Sequence, residues 1–473
     1  MDGPEPPARR DPVAAGRRLV DGAYLRADRI LDEGQHRAFR LFWFFVPAIR
    51  VARNPRLEQV MASRFLSDAG QQALAYGALI AVVRGGGSAF EAALVGVAAL
   101  VPPALLGLYG GAVADALPKR VALAAIYNLQ ALLCFIVPGV AGTDLVAILF
   151  LVFAVNTLGQ VSGPTESSVL PYVASEEELA SAASLVGLSA NLGTVFGTAL
   201  LAPVLARVFG TDVVFYVAGA LLFLAASRVF DLTTHEAPHD RDWRRPNADV
   251  RSTVSWLISE RAVATMIVVA VLAGTANIVL QTLAPRYVSA ALGVDPADAV
   301  YVFAPSAVGL AAALAATPAL IRRFRERIVA LAGFAVTAGT LCVLGFVPEI
   351  AGAVDAVNPM RLTGLFGIEL SQKLRTAGLL AVFVGFGLSM TTTSVQTYIN
   401  RRVPLHYQGR AFALQSTLKN GAAIVPLLAL GAAASYFGVE MVLIFSPFVL
   451  LALAAALVRL SYALGGSAPA TRL

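Results

Sequence analysis

Arg64 and Asp68 stand four residues apart, and Gln71 and Gln72 follow at the next turn, inside a stretch that is otherwise largely apolar. On a helix this spacing stacks guanidinium, carboxylate and amides along one face. A carboxylate held among apolar side chains can load and release a proton: desolvation disfavours its charged form, and the arginine beside it favours that form. The plainer alternative is an ion pair that only satisfies its two members. Lys419, one of three lysines in the chain, poses a similar question alone. It lies well inside another apolar run, one turn from Gln415, where an ammonium needs a counter-charge, water or a ligand. Glu166 closes the sequence Gly163-Pro164-Thr165-Glu166 near the end of a third run.

The surroundings of these groups follow from composition. Hydrophobic residues make up 57% of the 473 and charged residues 14%, with a mean hydropathy of +0.71, whereas soluble domains carry about 25% charge. Apolar stretches of roughly 20 residues recur, the length that a helix rising about 1.5 Å per residue needs to cross a bilayer core. About twelve spans are expected, at 58–83, 89–110, 121–139, 144–164, 183–208, 212–231, 262–283, 297–321, 328–347, 376–399, 409–435 and 439–461. The fold class is therefore an all-α membrane protein with about twelve transmembrane helices in two pseudo-symmetric six-helix bundles.

The net charge of +6 does not point to nucleic acid, because the bases sit in short segments between spans. Segments on one side hold 28 bases, among them Lys119, Arg120, Arg322, Arg323, Arg401 and Arg402. Those on the other carry only Arg84, Arg207, Arg286, Arg361, Lys373 and Arg375. This bias predicts a multi-pass plasma-membrane protein with both termini cytoplasmic.

The expected domains are an extension over 1–57, a first bundle over 58–231, a cytoplasmic linker over 232–261, a second bundle over 262–462 and a tail over 463–473. In the extension, His36 to Arg53 interleaves arginines with Leu41-Phe-Trp43-Phe-Phe-Val46, which suits an interfacial helix or a segment packed on the bundle. No cleavable signal peptide is expected. Arg207-Val-Phe-Gly-Thr-Asp-Val-Val in the first half is echoed by Ser435-Tyr-Phe-Gly-Val-Glu-Met-Val in the second, a sign of internal repetition. Cys134 and Cys342 fall inside spans and read as small apolar side chains. His36, His235, His239 and His406 all lie outside the expected spans, and no nucleophile motif or phosphate loop occurs. Neither an enzyme nor a cofactor is indicated.

Between the second and third spans stands Gly111-Ala-Val-Ala-Asp115-Ala-Leu-Pro-Lys119-Arg120. The order glycine, aspartate four later, then a basic pair resembles the corresponding loop of the major facilitator superfamily, at Gly111, Asp115, Lys119 and Arg120. Ala116 and Pro118 depart from it. Phe65-Leu-Ser-Asp-Ala-Gly-Gln-Gln, Pro164-Thr-Glu-Ser-Ser-Val-Leu-Pro171 and Gln396-Thr-Tyr-Ile-Asn-Arg-Arg-Val-Pro404 resemble the drug-efflux branch that includes macrolide exporters, and nearly as much the bacterial lysophospholipid transporters. Of the fifth-helix signature of antiporters, Gly193 and Gly197-Thr198 are present without its proline.

The resemblance implies alternating access around a cavity lined by the first, fourth, seventh and tenth helices. Here these carry Gln71 and Gln72, Asn156 and Gln160, Asn277 and Gln281, and Ser389 and Gln396. Polar contacts between helices would account for any one of these residues singly. Arg64, Asp68, Glu166 and Lys419 become candidates for proton or ion coupling. Asp68 is expected to be the deep acid that pairs with Lys419 across the bundles, while Glu166 lies close to the inner surface. Asp115 is expected to latch the cytoplasmic side against Gln408-Gly409-Arg410 at the start of the eleventh helix. The implied function is export of a lipophilic or amphipathic small molecule, with protons as coupling ions where the mechanism is antiport. A lysophospholipid transporter is the alternative, and a channel or non-transporting sensor a more distant one. Membrane lipids are the other expected partners.

Overall fold

A computed structural model describes residues 54–230, 260–449 and 452, apart from 117, 143, 175–177, 356–357, 361–369 and 404. The proposed interfacial helix, most of the linker and the tail lie outside the described residues. Every regular element among the described residues is helical. The first half comprises α1 (Pro55–Arg84), α2 (Ala89–Ala116), α3 (Lys119–Ala141), α4 (Leu145–Val173), α5 and α6 (Thr211–Phe230). Helix α5 runs over Leu179–Val195, widens into a π turn at Phe196–Leu201 and continues as Ala202–Phe209.

The second half comprises α7 (Arg261–Ala290), α8 (Ser306–Phe324), α9 (Glu326–Gly345), α10 (Gln372–Arg402), α11 (Leu405–Phe437) and α12, described over Val439–Val449. A 3-10 turn at Pro296–Asp298 and a short helix at Ala299–Phe303 connect α7 to α8, and a second short helix, Val347–Asp355, follows α9.

Ten of these helices are both long and apolar enough to cross a membrane. Helix α1, with 30 residues, is as long, yet it carries Arg64, Asp68, Gln71 and Gln72 and is not among them. Its start is well specified. Asn54 caps it by accepting a hydrogen bond from the Arg56 amide at 3.0 Å, with Pro55 in the first turn. The Asn54 amide also donates to the Val173 carbonyl at 2.7 Å, fixing the start of α1 to the end of α4 at one face of the molecule.

Several helices outrun the sequence expectation at polar or proline-containing ends. Helix α4 continues to Val173 through Gly163-Pro164, and α7 continues to Ala290 through Pro285. Helix α8 carries Pro318 inside it and runs past the expected end at 321 to Phe324, so that Arg325 alone links it to α9, at φ +67°. Neighbouring helices re-satisfy the backbone that proline frees, so proline ends a spanning helix less reliably than a soluble one.

The two expected repeats occupy equivalent turns. Gly210, between α5 and α6, has φ +93°, and Gly438, between α11 and α12, has φ +88°. Both need the left-handed backbone that glycine adopts without penalty. Within the first half, α1 packs on α5 and α6, and α3 packs on α4 and α6. Within the second, α10 packs on α7, α8 and α9. The halves meet along α2 and α11, with further contacts of α7 on α1 and α2.

The α1–α5 contact depends on glycine. A Cβ built on Gly193 would lie 2.5 Å from the Phe65 carbonyl oxygen, and one on Gly197 would collide with the Ala69 carbonyl. Lipid supplies no hydrophobic force between helices, so close backbone approach carries such contacts. Gly193→Val should therefore destabilise the fold by about 1–3 kcal/mol. Gly187→Val, on the same helix with nothing within 4 Å, should be close to neutral. Thermal unfolding of the purified variants checks this, and equal melting of the two would refute the packing argument.

Candidate functional site

Three helices bring the acidic groups together. From α1, Arg64 places Nε 2.7 Å from Asp68 Oδ2 and directs its NH1 to Glu166 Oε2 of α4. From α3, the Tyr127 hydroxyl donates to Glu166 Oε1, and Ser67 Oγ lies 3.5 Å from the same oxygen. Glu166 is 4% exposed and Tyr127 fully buried. The expected pairing of Arg64 with Asp68 is present. Glu166 does not stand apart from Asp68 as the separation in sequence suggests, because the two share one arginine. Glu166 is buried, and Arg64 serves both carboxylates. The approach of α4 to α1 and α3 causes this, and the order of residues along α4 does not reveal it.

One guanidinium between two carboxylates leaves the trio short of one positive charge. The acids are unequally supplied: Glu166 has Arg64, Tyr127 and Ser67, while buried Asp68 Oδ2 has the ion-pair contact without an aligned hydrogen bond. A single proton on either acid would balance the charge, and Asp68 is the less committed of the two. Tyr127 and Ser67 were not singled out from sequence. A tyrosine among apolar residues gives no sign of its partner until the helices are packed.

The amides expected to line a cavity are distributed over both halves. Gln71 approaches Gly159 of α4, and Gln160 approaches Gly107 of α2, which Thr417 of α11 also faces. Asn156 and Gln160 donate to carbonyls one turn earlier, Val152 O at 2.8 Å and Asn156 O at 3.0 Å. Gln72 and Ser389 are half-buried, and Gln396 is exposed. Asn277 Oδ1 accepts from Gln281 Nε2 at 3.4 Å. These two belong to a mainly apolar cavity within the second half, which Leu280, Tyr287, Leu344 and Leu388 also line. Tyr287 spends its hydroxyl on the Leu344 carbonyl at 2.8 Å, leaving Asn277 and Gln281 as its main polar groups.

Lys419 is half-buried, and its stem crosses Gly274 of α7. It is not joined to Asp68 in this conformation, where Asp68 faces Arg64. The side chains of Asp115 and Arg410, and the surroundings of Gly111, lie outside the described residues, so the expected cytoplasmic latch has no geometry here. Lys119 is buried and Arg120 half-buried at the start of α3.

At the face opposite Asn54 the halves are clasped. Arg84 at the end of α1 donates to Asp295 Oδ1 at 2.6 Å and also to the Ala206 carbonyl of α5. Arg207 of α5 pairs with Asp298. Both acids belong to the turn after α7, where Asp295 also accepts from the Ala297 amide at 2.8 Å and holds the turn in shape. Arg207 is 55% and Asp295 43% exposed, so each pair is worth only about 0.2–0.5 kcal/mol. Asp295→Asn with Asp298→Asn should then raise the fraction of molecules open at that face about two- to five-fold. Distances between spin labels across the face would report it. Unchanged populations would mean that the pairs do not hold the halves together.

Two half-bundles meeting around polar helices, clasped at one face, define a membrane transporter fold. The chain belongs to the Major Facilitator Superfamily, whose family model matches residues 60–425. Among solved structures it is similar to the nucleoside transporter NupG, with 13% identity and a TM-score of 0.65 over 85% of this chain and 98% of that one. A bacterial homologue of the human lysosomal transporter Spinster, inward-facing and unoccupied, gives 14% identity and a TM-score of 0.65 over 86% and 97%. A bacterial homologue of the iron transporter ferroportin, inward-facing, gives 13% and 0.61 over 86% and 98%. No curated protein sequence shows significant similarity. At such identities these likenesses establish the fold alone.

Proposed function

We propose that the chain is a proton-coupled secondary transporter that exports lipophilic or amphipathic small molecules from the cytoplasm by alternating access. Residues 1–53 then face the cytoplasm, and the Arg84 and Arg207 clasp closes the outer side. The observation that carries the coupling is the trio in which one guanidinium serves two carboxylates. A proton taken by Asp68 would release its share of Arg64, leaving the arginine to Glu166 and drawing α1 towards α4. Loss of that proton would restore the split contact. The two arrangements give protonation a differential effect on how the first half is packed, which any coupled transition requires.

The substrate class rests on the cavity. Its lining is mainly apolar with two amides, which suits an apolar molecule with few polar groups better than a sugar. The chain in proteoliposomes should accumulate a lipophilic dye against its gradient when a pH difference is imposed. Accumulation without a pH dependence would remove the proton from the mechanism. Absence of any transport or exchange would favour a sensor.

A further inference from the structure

We infer that Lys419 is the anchor for an acidic group on the transported molecule, so that the cavity takes an anionic single-chain amphiphile, an apolar body ending in a carboxylate or phosphate. The inference rests on the export of amphipathic molecules proposed above and narrows it.

Lys419 lies in the interior part of α11, and among the described residues no acid pairs with it and no hydrogen bond holds it. The two interior acids nearest in kind are engaged elsewhere: Glu166 by Arg64 and Tyr127, Asp68 by Arg64. An ammonium within a membrane span is costly to leave alone. The fold nevertheless makes a seat for it. A Cβ on Gly274 would lie 2.5 Å from Lys419 Cδ and 2.7 Å from Cγ, so α7 leaves open the space that the lysine stem fills.

One turn before Lys419, Gln415 has a buried Oε1 without a donor, a second unmet polar group on α11. Along α7 from Gly274, Asn277 and Gln281 come at the next turns and lead into the apolar cavity. A cation whose stem packs on α7 three residues before Asn277 of the apolar cavity, with an unsatisfied amide one turn away on α11, matches a ligand with a charged end and a hydrocarbon body. A lysine that merely tethered α11 to α7, or paired with Asp68 in another conformation, would affect stability or coupling. It would not set the choice of head group.

The test uses the full chain in neutral detergent at about pH 8, with binding followed by thermal shift and calorimetry. The probes are laurate, lysophosphatidylglycerol with a lauroyl chain, uncharged monolauroylglycerol and inorganic phosphate. The native chain should bind at least one of the two anionic amphiphiles at least tenfold more tightly than the neutral one. The preference should weaken as salt is added. Lys419→Gln should abolish it, and Lys419→Arg should retain it. Preference for laurate alone would assign a carboxylate, and preference for the lysolipid alone a phosphate.

Equal binding of charged and neutral amphiphiles by the native chain overturns the inference while leaving amphiphile transport standing. So does a preference that persists in Lys419→Gln. Binding of phosphate as tight as that of the amphiphiles overturns it in favour of a free-anion site. Binding of none of the amphiphiles overturns both the inference and the proposed substrate class. Should Lys419→Gln fail to fold, the native preference, its salt dependence and Lys419→Arg still decide.

Discussion

Replacing Arg64 with alanine should lower the thermal stability of the purified protein more than any other single change at the site. The substitution leaves Glu166 and Asp68 without the cation they share. Breaking a buried pair by deleting one partner costs about 3–5 kcal/mol, because the remaining charge stays desolvated. The loss should be recovered in large part by adding Glu166→Gln and Asp68→Asn to Arg64→Ala, since neutral amides need no counter-charge. Melting curves of the single and triple variants in one detergent check this. If Arg64→Ala melts with the native protein, or the triple variant is no better than the single, the trio is not an electrostatic unit.

Asp68→Asn should separate binding from driving force. The amide keeps the size of the side chain but cannot exchange a proton, so accumulation driven by a pH difference should fall at least tenfold, while exchange down a substrate gradient survives. Glu166→Gln should behave differently. It removes the charge that Arg64 pairs with and leaves one acceptor oxygen where Tyr127 and Arg64 each had their own, at a site only 4% exposed, and the expected loss includes stability as well as transport. Parallel proteoliposome assays with and without a pH difference distinguish the two. Uphill accumulation retained in Asp68→Asn would move the proton to another group.

The contrast between these two acids also shows how far the residues could be read before folding. Arg64 and Asp68 are four apart on one helix, so their pairing follows from helical geometry alone. Glu166 is 102 positions from Arg64 along the chain, and its burial depends on how α1, α3 and α4 pack, which no local pattern encodes. The same holds for Tyr127, whose flanking Ile126 and Asn128 say nothing of a partner that lies on another helix.

At the level of spans, hydropathy located the helices because the bilayer imposes their length and composition. It shortened α4 and α7, where polar residues and proline continue a helix supported by its neighbours. The clasp of Arg84 and Arg207 on the turn after α7 was unreadable for a further reason. Bases at span ends serve orientation in general, and only assembly of the two halves reveals which of them meet acids.

The π turn at Phe196–Leu201 sets the angular position of everything beyond it on α5. Such a wide turn holds roughly one residue more than an α-helical turn would, and each α-helical residue advances about 100° around the axis. Helix α5 is thus two correctly phased pieces. The first turns Gly193 towards Phe65, and the second carries Arg207 round to Asp298. Deleting one residue from the turn would make α5 a regular helix with Arg207 still facing its acid, whereas winding all of its present residues as a regular α-helix would swing Arg207 about a quarter of a circle away. The irregular segment works as a phase corrector, letting one helix satisfy its own half of the molecule at one end and the opposite half at the other.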